Sequence, residues 1–303
     1  VSVIIPARNE EFLQNTIDNV LENIEADTEV IAILDGYWPN EGIPMNPRLT
    51  VVHHEESIGQ RAAVNEGAKL SVAKYIMKLD AHCAVDKGFD RKLMENIEYD
   101  WTVIPRMYNL WAFDWKCPEC NKRTYQAGGR PSECEECGNK DNFEKHIVWE
   151  AKTNPTSDFM RFDNKMKFNY WSAYAKRPEA QRDVADLLSS IGACFFMRRD
   201  RFFELGGMDE AHGSWGQFGT EVACKAWLSG GRHVVNKNTW FAHMFRTNSK
   251  GFSFPYPLSG KQVGRARNHS RNLWLNDKWP QATRKLSWLI EKFRPVPDWH
   301  SEA

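Results

Sequence analysis

The first 105 residues alternate between two hydrophobic periods, and this constrains the fold more than any other feature of the chain. Val1-Ser-Val-Ile-Ile5 is a short, mostly apolar run closed by Pro6, the pattern of a strand covered on both faces. Leu13, Ile17, Val20, Leu21 and Ile24 follow at helical spacing. Further strands are predicted at Val30 to Leu34, Leu49 to Val52, Tyr75 to Leu79 and Thr102 to Pro105. Helices are predicted at Gln60 to Val72 and Lys87 to Ile97. Strands that alternate with helices build a mostly parallel sheet with helices on its faces, an α/β fold. Ligands of such sheets bind beyond the carboxyl ends of the strands, where this reading puts Asp35 and Asp80.

The rhythm breaks between Trp111 and Ala185, a polar stretch rich in Lys, Asn and aromatic residues, which reads as an insertion. Regular structure resumes at Ile191 to Met197, with a helix at Glu221 to Leu228 and a strand near His233 to Asn236. The expected organisation is a first half over 1–110, an insertion over 111–189, a second half over 190–260 and a basic tail over 261–303. No apolar run approaches the roughly 18 residues that span a bilayer, so no membrane span is expected. With 40 Lys+Arg against 40 Asp+Glu the chain is no polycation.

Cys117-Pro-Glu-Cys120 and Cys134-Glu-Glu-Cys137, with 13 residues between them, have the spacing of a zinc ribbon. Four thiolates would close the coordination of a Zn²⁺ and make it structural; a redox or disulfide pair is the alternative. Cys83, Cys194 and Cys224 stand alone in apolar surroundings, which favours a reducing compartment; the location expected is the cytoplasm of a bacterial or virus-infected cell. Residue 1 is Val and already within a strand, so the expectation leaves room for a missing natural start or a removed signal peptide.

Asp80-Ala-His82, with His243 far downstream, offers hard oxygen and nitrogen ligands to a divalent cation such as Mn²⁺ or Mg²⁺. A strand-end turn with a hydrogen-bonded His is the alternative. No G-x-G-x-x-G follows the first strand and no G-x-x-x-x-G-K-[ST] occurs, so a bound nucleotide would rely on a metal and side chains.

Val1-Ser-Val-Ile-Ile-Pro-Ala-Arg-Asn-Glu10, Leu34-Asp35-Gly36, Gly59-Gln-Arg-Ala-Ala-Val-Asn65 and Lys78-Leu-Asp80-Ala-His82 together resemble the nucleotide-sugar half of a GT-A glycosyltransferase. Gly206-Gly207-Met-Asp209, Trp215-Gly216 and Glu221 resemble the acceptor side of family-2 glycosyltransferases and polypeptide N-acetylgalactosaminyltransferases. The resemblance implies that Pro6, Arg8, Glu10 and Asp35 line the base and ribose of a nucleotide sugar such as a UDP-sugar. It places Gly59 and Arg61 near the nucleotide or its diphosphate, and Trp215 in the acceptor cleft. His243 completes the metal set with Asp80 and His82. Asp35 as a turn cap, Arg61 as a solvated helix residue and Trp215 as core are the plainer alternatives.

Relatives that invert configuration carry an acidic pair after the Trp-Gly; here Phe218-Gly219 stands there. Glu221 is the nearest carboxylate and the candidate general base, or else a helix N-terminal acid favoured by the macrodipole. From Lys261 to Arg294, nine Lys/Arg meet only Asp277 and Glu291, with Trp274, Trp279 and Trp288 interleaved. Such a stretch suits phosphates and stacked bases. The expected acceptor is therefore a hydroxymethylated pyrimidine in phage-type DNA, with protein or glycan hydroxyls as the alternative. A non-catalytic, zinc-stabilised binding module is the other class of function left open.

Overall fold

The computed structural model describes residues 1–39, 42–95, 97–246 and 253–299. Its first quarter is the alternation read above. β1 (Ser2–Ala7), β2 (Glu29–Asp35), β3 (Leu49–His54) and β4 (Tyr75–Leu79) lie in the order β3-β2-β1-β4, all parallel. Val3, Ile4 and Ile5 are fully buried, as a strand covered on both faces requires. α1 (Leu13–Asn23) buries Leu13, Ile17 and Val20 on one side. α2 (Gln60–Leu70) lies directly on β1: a Cβ on Gly67 would come within 2.5 Å of Ile4, so only glycine permits that approach. The helix ends at Leu70 rather than Val72.

Beyond β4 the sheet is mixed. β5 (Cys83–Val85) precedes α3 (Phe89–Met94), which stops where Glu95 turns extended; the expected end of this helix includes Asn96, outside the described residues. β6 (Trp101–Lys116) is far longer than the four residues expected. It continues past Leu110 because Phe113 and Trp115 bury into a second apolar cluster with Phe12, Ala242 and Met244. A boundary at 110/111 therefore cuts a strand. β6 pairs antiparallel with β7 (Arg123–Tyr125) and β8 (Glu144–Pro155), so the cysteine knuckles cap a ribbon grown from the main sheet.

β9 (Met160–Phe162) and β10 (Phe168–Tyr170) form a separate hairpin. β11 (Val184–Asp186), β12 (Cys194–Arg198) and β13 (Arg232–His243) complete the sheet, in the order β11-β13-β6-β12-β4. α4 (Arg199–Glu204) and α5 (Phe218–Leu228) connect β12 to β13. α6 (Gly260–Trp274), started by a Ser259/Gln262 capping box, and α7 (Leu286–Lys292) make up the tail. Trp274 and Trp279 are buried edge-to-face against each other at 5.9 Å. Arg284 covers Trp288 at 4.3 Å. Trp274 and Trp279 are thus core residues rather than stacking surfaces, and of the three tryptophans only Trp288 stays exposed. No helix among the described residues is long and apolar enough to cross a membrane.

Candidate active site

A cavity of about 510 Å³ opens beyond the carboxyl ends of β1, β2 and β4. Asp80 directly follows β4, and its backbone N–H donates to Ala193 O at 2.8 Å, fixing the strand end. β5 pairs with the end of β13 so that Cys83 faces His243, and this register carries His82 to the same place. Nε2 of His243 lies 3.3 Å from Asp80 Oδ2 and 3.1 Å from Nε2 of His82. The three ligand atoms fall within 4.8 Å of one another. The structure brings the expected metal trio together.

Two further groups hold the trio. Lys78, fully buried in an otherwise apolar strand, donates to Asp80 Oδ1 and to Gly192 O. Burial alone raises the pKa of Asp80, but Lys78 and the two imidazoles outweigh it and hold the carboxyl well below its usual range. Gln60 Nε2 donates to the same oxygen at 3.1 Å. Glu10 accepts from Arg246 at 2.6 Å and meets His82 Nδ1 at 2.9 Å, which aims His82 Nε2 at the cluster. Burial lowers His243 to about 4, against the pull of Asp80, so its ring is neutral near pH 7. Two imidazoles and a carboxylate whose ligand atoms converge fit a divalent cation of the Mn²⁺ or Mg²⁺ type.

Pro6, Arg8, Glu10, Asp35, Gly59 and Trp215 all line the cavity. The roles implied for two of them need revision. Both Glu10 oxygens are taken by Arg246, His82 and the Phe12 N–H, so its carboxylate serves the metal ligand rather than a base or ribose. The Asp35 carboxylate accepts from Ser57 Oγ and from the N–H groups of Ile58 and Gly59, which is the turn-cap alternative. Arg8 lies over the Tyr256 ring at 5.5 Å, and Trp215 meets Phe254 edge-on at 5.9 Å.

Arg61 and Glu221 are corrected outright. Arg61 is buried and turned away from the cavity. Its Nε donates to Glu221 at 2.8 Å, and its terminal nitrogens donate to the carbonyls of Gly213 and Gly216, bracing the loop that carries Trp215. Glu221 is fully buried, accepting also from Lys225 at 2.9 Å and from the Asp209 N–H at 2.6 Å. Burial pushes its pKa up, but Lys225 and Arg61 more than reverse this and bring it down to about 2. It has no path to an acceptor hydroxyl and is not the general base.

Packing accounts for Phe218-Gly219. A Cβ on Gly219 would lie 1.9 Å from Ser190 O, and the Phe218 ring sits 4.9 Å from Lys78 Nζ and 5.3 Å from Arg61 Cζ. The sequence reading passed over Lys78, Gln60 and Arg246. A lone Lys inside an apolar strand was the one available signal.

In the ribbon, Cys117 and Cys137 sulfurs are 3.6 Å apart and those of Cys120 and Cys134 are 3.5 Å apart. Metal–sulfur distances of about 2.3 Å give tetrahedral edges of about 3.8 Å, whereas a disulfide needs about 2.05 Å. All four cysteines are free thiols within 4.8 Å, a set compatible with Zn²⁺.

Residues 2–110 match the family model described as Glycosyl transferase family 2. Among curated proteins, the chain is 25% identical over 287 residues to putative polypeptide N-acetylgalactosaminyltransferase 13 of Drosophila melanogaster, covering 88% of this chain and 45% of that protein. It is 25% identical over 292 residues to polypeptide N-acetylgalactosaminyltransferase 3 of Homo sapiens, covering 91% and 41%. The chain thus spans less than half the length of these relatives. Among solved structures, GalNAc-T7 with UDP, GalNAc and Mn²⁺ superposes with a TM-score of 0.66 at 18% identity, over 96% of this chain and 56% of that one. S. aureus TarS 1–349 in complex with UDP-GlcNAc gives 0.56 at 12% identity, over 96% and 70%. The fold is GT-A, and the likeness to family 2 glycosyltransferases lies in residues 2–110.

Proposed function

We propose that this chain is a metal-dependent glycosyltransferase that moves a sugar from a nucleotide-sugar donor, a UDP-sugar, to a hydroxyl on protein. The observation that carries the reading is the convergence of Asp80, His82 and His243 at the strand ends, inside the cavity. A Mn²⁺ or Mg²⁺ bound there supplies positive charge to the diphosphate of the donor. In the transfer, the bond from the anomeric carbon to the diphosphate oxygen breaks and its electron pair leaves with the diphosphate. The acceptor oxygen bonds to that carbon, and its proton passes to the departing diphosphate or to water.

The chain's own residues prepare this. Lys78 keeps Asp80 ionised, burial keeps His243 neutral, and Glu10 orients His82. Arg61 holds the Trp215 loop as the far wall. The polypeptide transferases among the relatives support protein as acceptor over the hydroxymethylated pyrimidine of DNA, for which Trp274 and Trp279, both buried, offer no stacking face.

The test incubates the protein with Mn²⁺, a UDP-sugar panel, Ser/Thr peptides and hydroxymethylated duplex DNA, and weighs the products. Expected is sugar on peptide, abolished by EDTA and by Asp80→Asn. Sugar on DNA alone reverses the acceptor, and inertness towards every donor leaves only the binding module.

A further inference from the structure

Two polar atoms on the cavity wall are withdrawn from water without gaining a partner: Oε1 of Gln217 and Nε of Arg267. A buried donor or acceptor left unmade costs free energy with nothing returned, and native structures keep few of them. Gln217 also holds its backbone at φ +60°, immediately before α5. Non-glycine residues held in this region gather at ligand sites. Arg267 belongs to the part of α6 that stands over the Trp215 loop: Ala266 Cβ lies 3.4 Å from where a Cβ on Gly216 would be.

Charge identifies the ligand. Among the described residues, the guanidinium of Arg267 pairs with no carboxylate, and neither does the ammonium of Lys167, a cavity-lining residue of the turn between β9 and β10 whose backbone N–H alone donates to Asp163. The carboxylates that line the cavity are those of Glu10, Asp35 and Asp80, and each is bonded to its own partners. The cavity lining therefore carries two cations without a carboxylate partner, at Arg267 and Lys167, and an amide oxygen without a donor, at Gln217.

We propose that Gln217, Arg267 and Lys167 form the acceptor subsite and select a peptide with an acidic residue beside the hydroxyl that takes the sugar. The inference rests on the reading of the chain as a transferase to protein. The guanidinium fork of Arg267 pairs with the acidic side chain. A turn of the Gln217 amide brings its Oε1 to a peptide backbone N–H, and Lys167 adds a second positive charge.

The experiment measures KM for donor and acceptor with three Ser/Thr peptides that differ only in Asp, Asn or Lys beside the hydroxyl residue. The Asp peptide is expected to have a KM about tenfold below the Asn peptide, the order of one charge-assisted hydrogen bond. That gap narrows in high salt. Arg267→Gln flattens the order and Arg267→Glu turns it towards the Lys peptide. Equal KM values for all three peptides in the unaltered protein overturn the subsite and leave the transferase reading standing. A rise in donor KM without a change in peptide KM on Arg267→Glu also overturns it, by assigning the side chain to the diphosphate. Transfer to some other hydroxyl but to no peptide removes both.

Discussion

Glu221→Gln separates two roles that the sequence leaves equal, a catalytic base and a buried structural charge. The substitution keeps the shape of the side chain and removes its charge, leaving Arg61 and Lys225 buried without a counter-charge. Removing one member of a buried ion pair costs about 3–5 kcal/mol. Unfolding entropy of about 2.1 cal/mol/K per residue, over a chain of 303 residues, makes each kcal/mol worth roughly 1.6 °C in Tm. A fall of about 5–8 °C is expected. The kcat for transfer, measured well below the lowered Tm, is expected to stay within a few fold. Calorimetry and steady-state transfer on the same preparations supply both numbers. A general base would give the opposite pair of results, an unchanged Tm with kcat reduced by about 10²–10⁴. That outcome would refute the burial argument and restore the carboxylate to the chemistry.

Other expectations follow from the same geometry. Glu10→Gln weakens the hold on His82 and should raise the Mn²⁺ concentration for half-maximal transfer by about 10–100-fold; an unchanged metal dependence sinks the positioning role. Elemental analysis should find one zinc per chain, and Cys137→Ser should lose it and open residues 117–143 to protease while amide exchange in β1 and β4 stays slow. Loss of that core protection would show that the ribbon is not a separable unit. Burial lowers His212 to about 4 and His233 to about 3, against an unfolded value near 6.5. Below pH 6.5 the unfolded chain therefore takes up protons first, and stability falls with pH by up to about 1.4 kcal/mol per unit for each, until the folded values are reached. Glu221 adds to this between about 4.5 and 2. Urea midpoints from pH 8 to 4 should decline from 6.5 downward, and a flat profile contradicts the burial of the two histidines.

β1 to β4 were legible because each is a mostly apolar run, and Asp80 and His82 were legible from their place just past β4; the three-residue β5 was too short to read. The full length of β6 was not legible either. Its outer half alternates aromatic residues with Lys, Asn and Asp, so composition alone resembles a loop until the second apolar cluster supplies a surface for one face. The side chains of α2 show a finer limit. Gln60 and Arg61 are neighbours, and successive residues on a helix point about 100° apart. Gln60 faces the cavity and donates to Asp80, while Arg61 faces the interior and meets Glu221, 160 positions away in the chain. The charged residue was the natural choice from sequence, and only the partner across the fold decides otherwise.

That partner also accounts for the departure at Phe218. Its ring lies over both Lys78 and Arg61, the cations committed to Asp80 and Glu221. A carboxylate in its place, within about 5 Å of each, would compete for them at low dielectric and draw Lys78 away from the metal ligand. An aromatic face attracts the same cations without offering either a new counter-charge. Phe218 thus keeps one buried cation on Asp80 and the other behind the Trp215 loop. The missing acidic pair is part of how Asp80 stays ionised.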